Sequence, residues 1–295
     1  MVDVPLSDAE VPAFWKSLGL PGLIDTHVHF MPDSVLQKVW AYFDSAGPLV
    51  GRDWPITYRW PEEQRLAHLR AMGVRAFPSL VYAHKPGMAA WLNEWARDFA
   101  AAHDDVLLTA TIYPESSLPD YLDVALRAGV RIVKVHVQVG GFDPRHPLLD
   151  DAWGMLADAA VPVVVHAGSG PAPGAFTGPE PIAAVLERHP TLPLIAAHMG
   201  MPEYDEFLSF AERYDNVSVD TTMCFTDFSS GPELAERLAP RLDVLRDKVL
   251  LGADFPNIPY PYSHQLEALA RLGLGDDWLR AVCWDNGARL FGIGG

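Results

Sequence analysis

Residues 23–30 read Leu-Ile-Asp-Thr-His-Val-His-Phe, a short apolar run with Asp25, His27 and His29 at alternate positions. Side chains two apart on an extended strand leave the same face, so the two imidazoles point one way and can reach a single ion. Seven further runs resemble it: 74–82, 106–113, 130–139, 162–167, 193–198, 216–222 and 249–254. Most are rich in Val, Ile or Leu with little polar alternation, as expected of parallel strands covered on both faces. Between most of them lie segments with helical spacing, at 61–72, 88–102, 119–128, 149–160, 179–189 and 203–214. Strand alternating with helix predicts βαβ units, and eight repeats predict closure into one (β/α)8 TIM barrel spanning residues 1–295.

Two stretches stand outside this rhythm. A short N-terminal extension, about residues 1–20, contains Ser7 and Glu10 at the spacing of a capping box, for a short helix ending near Gly19. A long loop insertion, about residues 31–61, follows the first strand and carries Trp40, Tyr42, Phe43, Trp54, Tyr58 and Trp60. These aromatics either wall a pocket or form a small core of their own. No linker or second domain is evident.

Composition narrows the class of function. Nearly half of the residues (49%) are hydrophobic and 20% charged, enough apolar material for a large core. The formal charge of −16 is spread along the chain. Such a surface repels phosphate backbones and anionic headgroups, so a small-molecule substrate is expected, and neither nucleic acid nor membrane. Cys224 and Cys283 form no CxxC pair, which suits a reducing compartment. The acidic first ten residues lack a signal-peptide pattern, and no run reaches the roughly 18–20 apolar residues of a membrane helix. The expected location is the cytoplasm.

The chemistry lies in the polar residues that end the apolar runs. Catalytic groups of a parallel barrel project from the C-terminal strand ends. Those ends carry His27 and His29, Lys134 and His136, His166, His198, and Asp254. One histidine in such a place is ordinarily a satisfied core residue, and HxH alone is a weak signal. Several strands ending this way together predict a metal site. His166 is followed by Ala167 and Gly168, small residues that leave room at the strand mouth. An aspartate after an apolar strand can cap a helix, but Pro256 and the aromatics after Asp254 disfavour an immediate helix start. A divalent cation would lower the pKa of a bound water to about 7, and His198, ordinarily near 6.5, would then move a proton.

Around this set, Arg52, Arg59 and Arg145 are candidate cations for a substrate carboxylate, with solvated surface charge as the plainer reading. Tyr82 and His84, at the second strand end, suit a planar or apolar substrate. Asp25 either orients one of the two histidines or is a buried carboxylate bonded only to backbone. Ser169 does not sit in a GxSxG elbow, because position 167 is Ala, and no GxGxxG or P-loop opens a helix. His68, His103 and His189 fall in or beside helical segments, where packing or surface roles are the default.

Asp25-Thr26-His27-Val28-His29, Val165-His166-Ala167-Gly168, Ala197-His198-Met199-Gly200 and Leu251-Gly252-Ala253-Asp254-Phe255-Pro256, in that order, resemble the amidohydrolase superfamily. The resemblance is to the subgroup that includes aminocarboxymuconate-semialdehyde decarboxylase. It implies one divalent ion held by His27, His29, His166 and Asp254, with His198 as catalytic acid/base and Asp254 also a proton acceptor. Zinc is the expected ion, and manganese, iron and cobalt are compatible. Some relatives carry a carbamylated lysine bridging two ions, which would fall on Lys134; the plainer alternative is a charged lysine, on one strand face with His136, that faces the substrate or pairs with a nearby carboxylate. The implied activity is hydrolysis of a small-molecule amide, lactone or related carbonyl. The alternative is non-oxidative decarboxylation of an unsaturated or aromatic acid. A homodimer is expected by analogy.

Overall fold

The computed structural model describes residues 3–294. Its strands are β1 (Leu23–Ile24), β2 (Val74–Pro78), β3 (Val106–Leu107), β4 (Thr109–Thr111), β5 (Ile132–His136), β6 (Val163–His166), β7 (Leu194–Ala196), β8 (Val217–Asp220) and β9 (Val249–Leu250). β1 pairs with β2, and β4 through β8 pair in sequence order, all parallel. Each apolar run therefore contributes a strand, and the third contributes two. The break falls at Leu108, where the Thr109 hydroxyl turns back onto the Leu107 carbonyl at 3.0 Å.

The strands are shorter than the apolar runs because the ends of the runs bend into turns. After β5 the chain enters a helical turn, Val137–Gly140, whose first free N–H groups are partly met by His136: its Nδ1 accepts from Val139 N. After β7 it enters a 3-10 turn, Ala197–Gly200. Six helices fall within two residues of the sequence reading: Glu62–Met72, Ala89–Ala102, Leu118–Arg127, Pro147–Asp158, Pro179–Arg188 and Tyr204–Arg213.

Three longer helices escape that reading: Asp33–Ser45, Pro232–Val244 and Tyr262–Arg271. The first lies inside the stretch expected to be loop. Its apolar residues Val35, Leu36, Val39, Trp40 and Phe43 recur at helical spacing, although only Leu36 and Trp40 are buried. The expected capping box is also not made. Ser7 forms no side-chain cap, and the Glu10 carboxylate accepts from Leu6 N at 2.8 Å, one residue upstream. A tight 3-10 turn at Asp8–Glu10, closed by Glu10 N donating to Ser7 O, draws Glu10 past its expected partner. The following helix, Val11–Ser17, ends as expected at Gly19, which takes a left-handed φ of 71°.

The described residues form two compact units: residues 3–29, 34–77 and 220–294 in one, residues 30–33 and 78–219 in the other. In the first, the residues beyond β1 run beside those beyond β9. Thr26 N donates to Leu251 O at 2.8 Å, Asp254 N to His27 O at 2.8 Å and His29 N to Phe255 O at 2.7 Å. This register fixes His27 and His29 opposite Asp254. Leu23, Val28, Leu251 and Phe255 around them are fully buried, each contributing roughly 1.5–3 kcal/mol of transfer free energy.

The N-terminal segment is fastened to the same unit through Asp8, which accepts from Tyr58 OH, His68 Nε2 and Ser263 N. Burial alone would raise this carboxyl, but those bonds outweigh it and hold it below its usual 3.8. Its stabilisation is thus present above that value and is lost as pH falls through the lower folded pKa.

The second unit holds the parallel ladder from β4 to β8, with His136 directly opposite His166 and Lys134 opposite Val164. Among the described residues no helix is long and apolar enough to cross a membrane.

Candidate metal centre

Three of the expected ligands converge in the first unit. The ligating atoms of His27, His29 and Asp254 all lie within 4.8 Å of one another. His29 Nε2 is 3.0 Å and His27 Nε2 3.9 Å from Asp254 Oδ1. The two rings stand edge to face with centroids 5.2 Å apart. Donors around a tetrahedral ion with bonds near 2.1 Å are about 3.4 Å apart, so the cluster has the span of a divalent cation. Both histidines are buried, and Asp254 is 9% exposed. Asp254 adopts a left-handed φ of 66°, closed by Asn257 N donating to its carbonyl. A non-glycine residue in that region is an uncommon local strain of the kind found at functional sites. It opens a turn here rather than a helix; the next helix starts at Tyr262.

Behind this cluster lies a carboxylate that the sequence reading did not single out. Asp220, fully buried at the end of β8, sits 2.8 Å from His27 Nδ1. A carboxylate there accepts the Nδ1 proton and leaves the Nε2 lone pair facing Asp254. The rule that selected His166, His198 and Asp254, a polar residue ending an apolar run, also applies to Val217-Ser218-Val219-Asp220. Asp25 has a different task. It accepts from His27 N at 3.0 Å, Ala253 N at 3.2 Å and Tyr262 OH at 2.9 Å, binding both strand ends through their backbones. Asp25 therefore bonds to backbone but not to backbone alone, because the Tyr262 hydroxyl is a third partner. Burial, reinforced by the Asp220 charge, pushes Asp25 up to about 8 against the lowering effect of those bonds.

Space around His27 depends on Gly252. A Cβ there would lie 2.2 Å from Thr222 Oγ1, 2.9 Å from His27 Cβ and 3.2 Å from Asp220 Cγ. We therefore expect Gly252→Ala to cost about 1–3 kcal/mol by overpacking. Equilibrium urea denaturation of the metal-free protein checks this, and an unchanged midpoint would show that the neighbours yield freely.

In the second unit the remaining strand-end residues also gather. His136 and His166 stack with centroids 4.0 Å apart and planes within 12°. His198 meets His166 edge-on at 4.7 Å, and Tyr82 lies 5.1 Å from His136. His166 Nε2 is 3.0 Å from the Gly170 carbonyl. A carbonyl only accepts, so that nitrogen carries the proton and Nδ1 keeps the lone pair. His198 and Met199 both take left-handed backbone, φ 54° and 50°, just beyond β7. Lys134 is wholly buried, and His84 is exposed beyond β2. Gly168 does not serve to open the strand mouth. Its missing Cβ is replaced by the backbone of Gly200 and Met201, as close as 2.3 Å, which brings the turns after β6 and β7 together.

The three candidate arginines divide. Arg59 is taken by Asp44, and Arg145 by Asp143 and Glu180. Arg52 is exposed and lies over the Phe228 ring at 4.9 Å, without a carboxylate partner among the described residues. Phe228 in turn stands edge-on to Trp54 at 4.9 Å, and Trp54 Nε1 donates to Asn257 O, three residues past Asp254. Trp40 Nε1 donates to the Asn257 side chain. The aromatics of residues 31–61 thus brace the turn that carries Asp254.

A family model described as Amidohydrolase matches residues 24–293. The chain belongs to the amidohydrolase family. No curated protein matches it. Among solved structures, this amidohydrolase is similar to an uncharacterised TIM-barrel protein from Bordetella bronchiseptica. The TM-score is 0.72 at 20% identity, over 92% of this chain and 98% of that one. It is also similar to the 5-carboxyvanillate decarboxylase of Novosphingobium aromaticivorans with bound manganese: TM-score 0.63, 14% identity, 92% and 97% of the chains. A third is described as a probable 2-pyrone-4,6-dicarboxylic acid hydrolase, from Acinetobacter baumannii: TM-score 0.60, 14% identity, 92% and 100%. These likenesses place the amidohydrolase in the (β/α)8-barrel fold class, as the alternation of runs predicted. It is an enzyme of a metal-dependent superfamily. The donor set fits that requirement, since two imidazoles and a carboxylate at cation spacing make an ordinary site for a divalent metal.

Proposed function

We propose that this amidohydrolase is a metal-dependent decarboxylase of a small planar carboxylic acid, aromatic or unsaturated, releasing CO2. The observation that carries this reading is Arg52. Of the three arginines considered for a substrate carboxylate, it alone is uncommitted to a protein carboxylate, and it lies on an aromatic wall braced against the Asp254 turn. A guanidinium over a phenyl ring presents its donors edgewise, a geometry suited to bidentate binding of a carboxylate beside a flat ring. The sequence reading put hydrolysis first; Arg52 reverses the order.

His27, His29 and Asp254 would hold the ion. When bound, a divalent cation supplies Lewis acidity and neutralises anionic substrate oxygens. Asp254, left-handed and set against both imidazoles, holds its carboxylate ready to accept a proton. His198 is assigned to deliver or accept a proton at the reacting carbon, and His166 to complete the ligand set. Both assignments rest on the sequence pattern and its family. Zinc and manganese are both proposed ions, manganese being the one present in the decarboxylase relative. A cytoplasmic location and a homodimer are proposals on the same footing.

Hydrolysis of a ring ester or amide bearing the same carboxylate is the second reading, favoured by the pyrone dicarboxylate hydrolase described among the similar structures. Turnover of a panel of hydroxybenzoic, unsaturated and lactone acids with metal-loaded enzyme tests both. CO2 release without incorporation of labelled water oxygen supports decarboxylation, and ring opening with one labelled oxygen overturns it. With the turned-over acid, Arg52→Ala is expected to raise KM about tenfold or more, as loss of a charged hydrogen bond does, with kcat changed less. An unaltered KM would remove Arg52 from the site.

A further inference from the structure

Asp220, which belongs to neither the family pattern nor the proposed ligand set, pairs with His27, and both residues are essentially without solvent contact. We propose that Asp220 is a positioning residue for the metal centre: it locks His27 into the Nδ1–H form, so that Nε2 offers its lone pair to the ion. This rests on the metal-centre reading and deepens it.

The geometry specifies each end of the ring. Nδ1 lies 2.8 Å from Asp220 Oδ2, an atom that can only accept from it when the carboxylate is ionised. Nε2 of the same ring faces Asp254 Oδ1 at 3.9 Å. The carboxylate is itself fixed, because its other oxygen accepts from Thr222 N at 3.1 Å. Asp25 has a different task, its oxygens accepting from two backbone N–H groups and the Tyr262 hydroxyl. The strand crossing at Gly252 leaves the room that the pair needs, with no Cβ to separate Asp220 from His27.

An imidazole free to choose would divide between its two neutral forms, and the Nε2–H form presents a proton to the ion rather than a lone pair. A buried acceptor on Nδ1 removes that form. It also makes Nε2 a better donor, because the developing charge on the ring is shared with the carboxylate. An asparagine at 220 would retain the shape. Its amide nitrogen, however, can donate to Nδ1 and so favour the wrong form, and it lacks the charge.

The test uses the full chain, stripped of metal by a chelator and titrated with Mn2+ or Zn2+ against a fluorescent competitor. Asp220→Asn is expected to bind the ion about 10–100-fold more weakly than the wild type. The metal-free variant should still melt cooperatively. A dissociation constant within twofold of wild type overturns the proposal. A second measurement does not depend on the variant folding. Nitrogen-15 NMR of the imidazoles in metal-free wild-type protein should show His27 protonated at Nδ1 and bare at Nε2. The reverse pattern, or an even mixture, overturns it. Wild type that binds neither ion sinks the metal-centre reading as a whole, whereas normal wild-type binding with an unaffected Asp220→Asn sinks this inference alone.

Discussion

Asp254→Asn will remove the bound ion and the activity together while leaving the fold intact. The side chain keeps its shape, but a neutral amide replaces the anion that stands 3.0 Å from His29 Nε2 and 3.9 Å from His27 Nε2. Neutral imidazoles bind a divalent ion far less well without the anionic carboxylate among them, and the group proposed as proton acceptor is lost in the same step. We expect metal below one-tenth of an equivalent after gel filtration and turnover reduced to background. Stability of the metal-free protein should be unchanged within about 1 kcal/mol or slightly raised. Asp254 sits in strained left-handed backbone in a neighbourhood that also buries Asp25 and Asp220, so it is placed for chemistry at some cost to the fold. Metal analysis, turnover and thermal melting of one preparation separate the effects. A fully loaded Asp254→Asn protein would place the ion elsewhere.

His198→Ala is expected to do the opposite to metal and the same to rate. As the proposed proton-transfer group it should contribute on the order of 10²–10⁴-fold to turnover. As a residue outside the ligand set it contributes nothing to metal content. His198 lies just past the end of β7, with its ring 4.7 Å from that of His166 and its backbone held at φ 54°. His166→Ala is the natural comparison, because the assigned fourth ligand should lower metal content where His198→Ala does not. The variants are read together by metal stoichiometry and kcat. If His198→Ala loses its metal, His198 is itself a ligand, and a site of more than one ion involving Lys134 becomes the better account.

Much of this is legible in the amino-acid sequence itself. The apolar runs gave the strands because a parallel strand covered on both faces cannot tolerate polar alternation, and the histidines and aspartate stood out against that background. What the runs could not give is where a strand stops. Val137 and Ala197 look like strand residues, yet His136 and Ala196 hand the chain into helical turns, a choice made by local hydrogen bonding rather than hydropathy. The helix at Asp33–Ser45 does carry apolar residues at helical spacing, though it buries only Leu36 and Trp40.

Within the site, the HxH pair and Asp254 were visible as residue types at strand ends, while their partners were not. Asp220 ends β8, but the run read from sequence continues to residue 222, and the meaning of Asp220 depends on a contact with His27 across 193 positions of sequence. Tyr262 OH on Asp25 and Tyr58 OH on Asp8 are of the same kind: hydrogen bonds between distant positions, with no local spacing to announce them. The arginines show the reverse limit. Arg52, Arg59 and Arg145 looked equivalent in sequence, and only the carboxylates beside two of them tell the three apart.

The most direct measurement is a diffraction experiment on crystals grown with Mn2+ or Zn2+, with data collected on both sides of the absorption edge of that metal. We predict one strong anomalous peak per chain, within bonding distance of His27 Nε2, His29 Nε2 and an Asp254 carboxylate oxygen. A loaded crystal whose anomalous peak lies away from those three atoms, or a well-ordered one with no peak at all, would contradict the account.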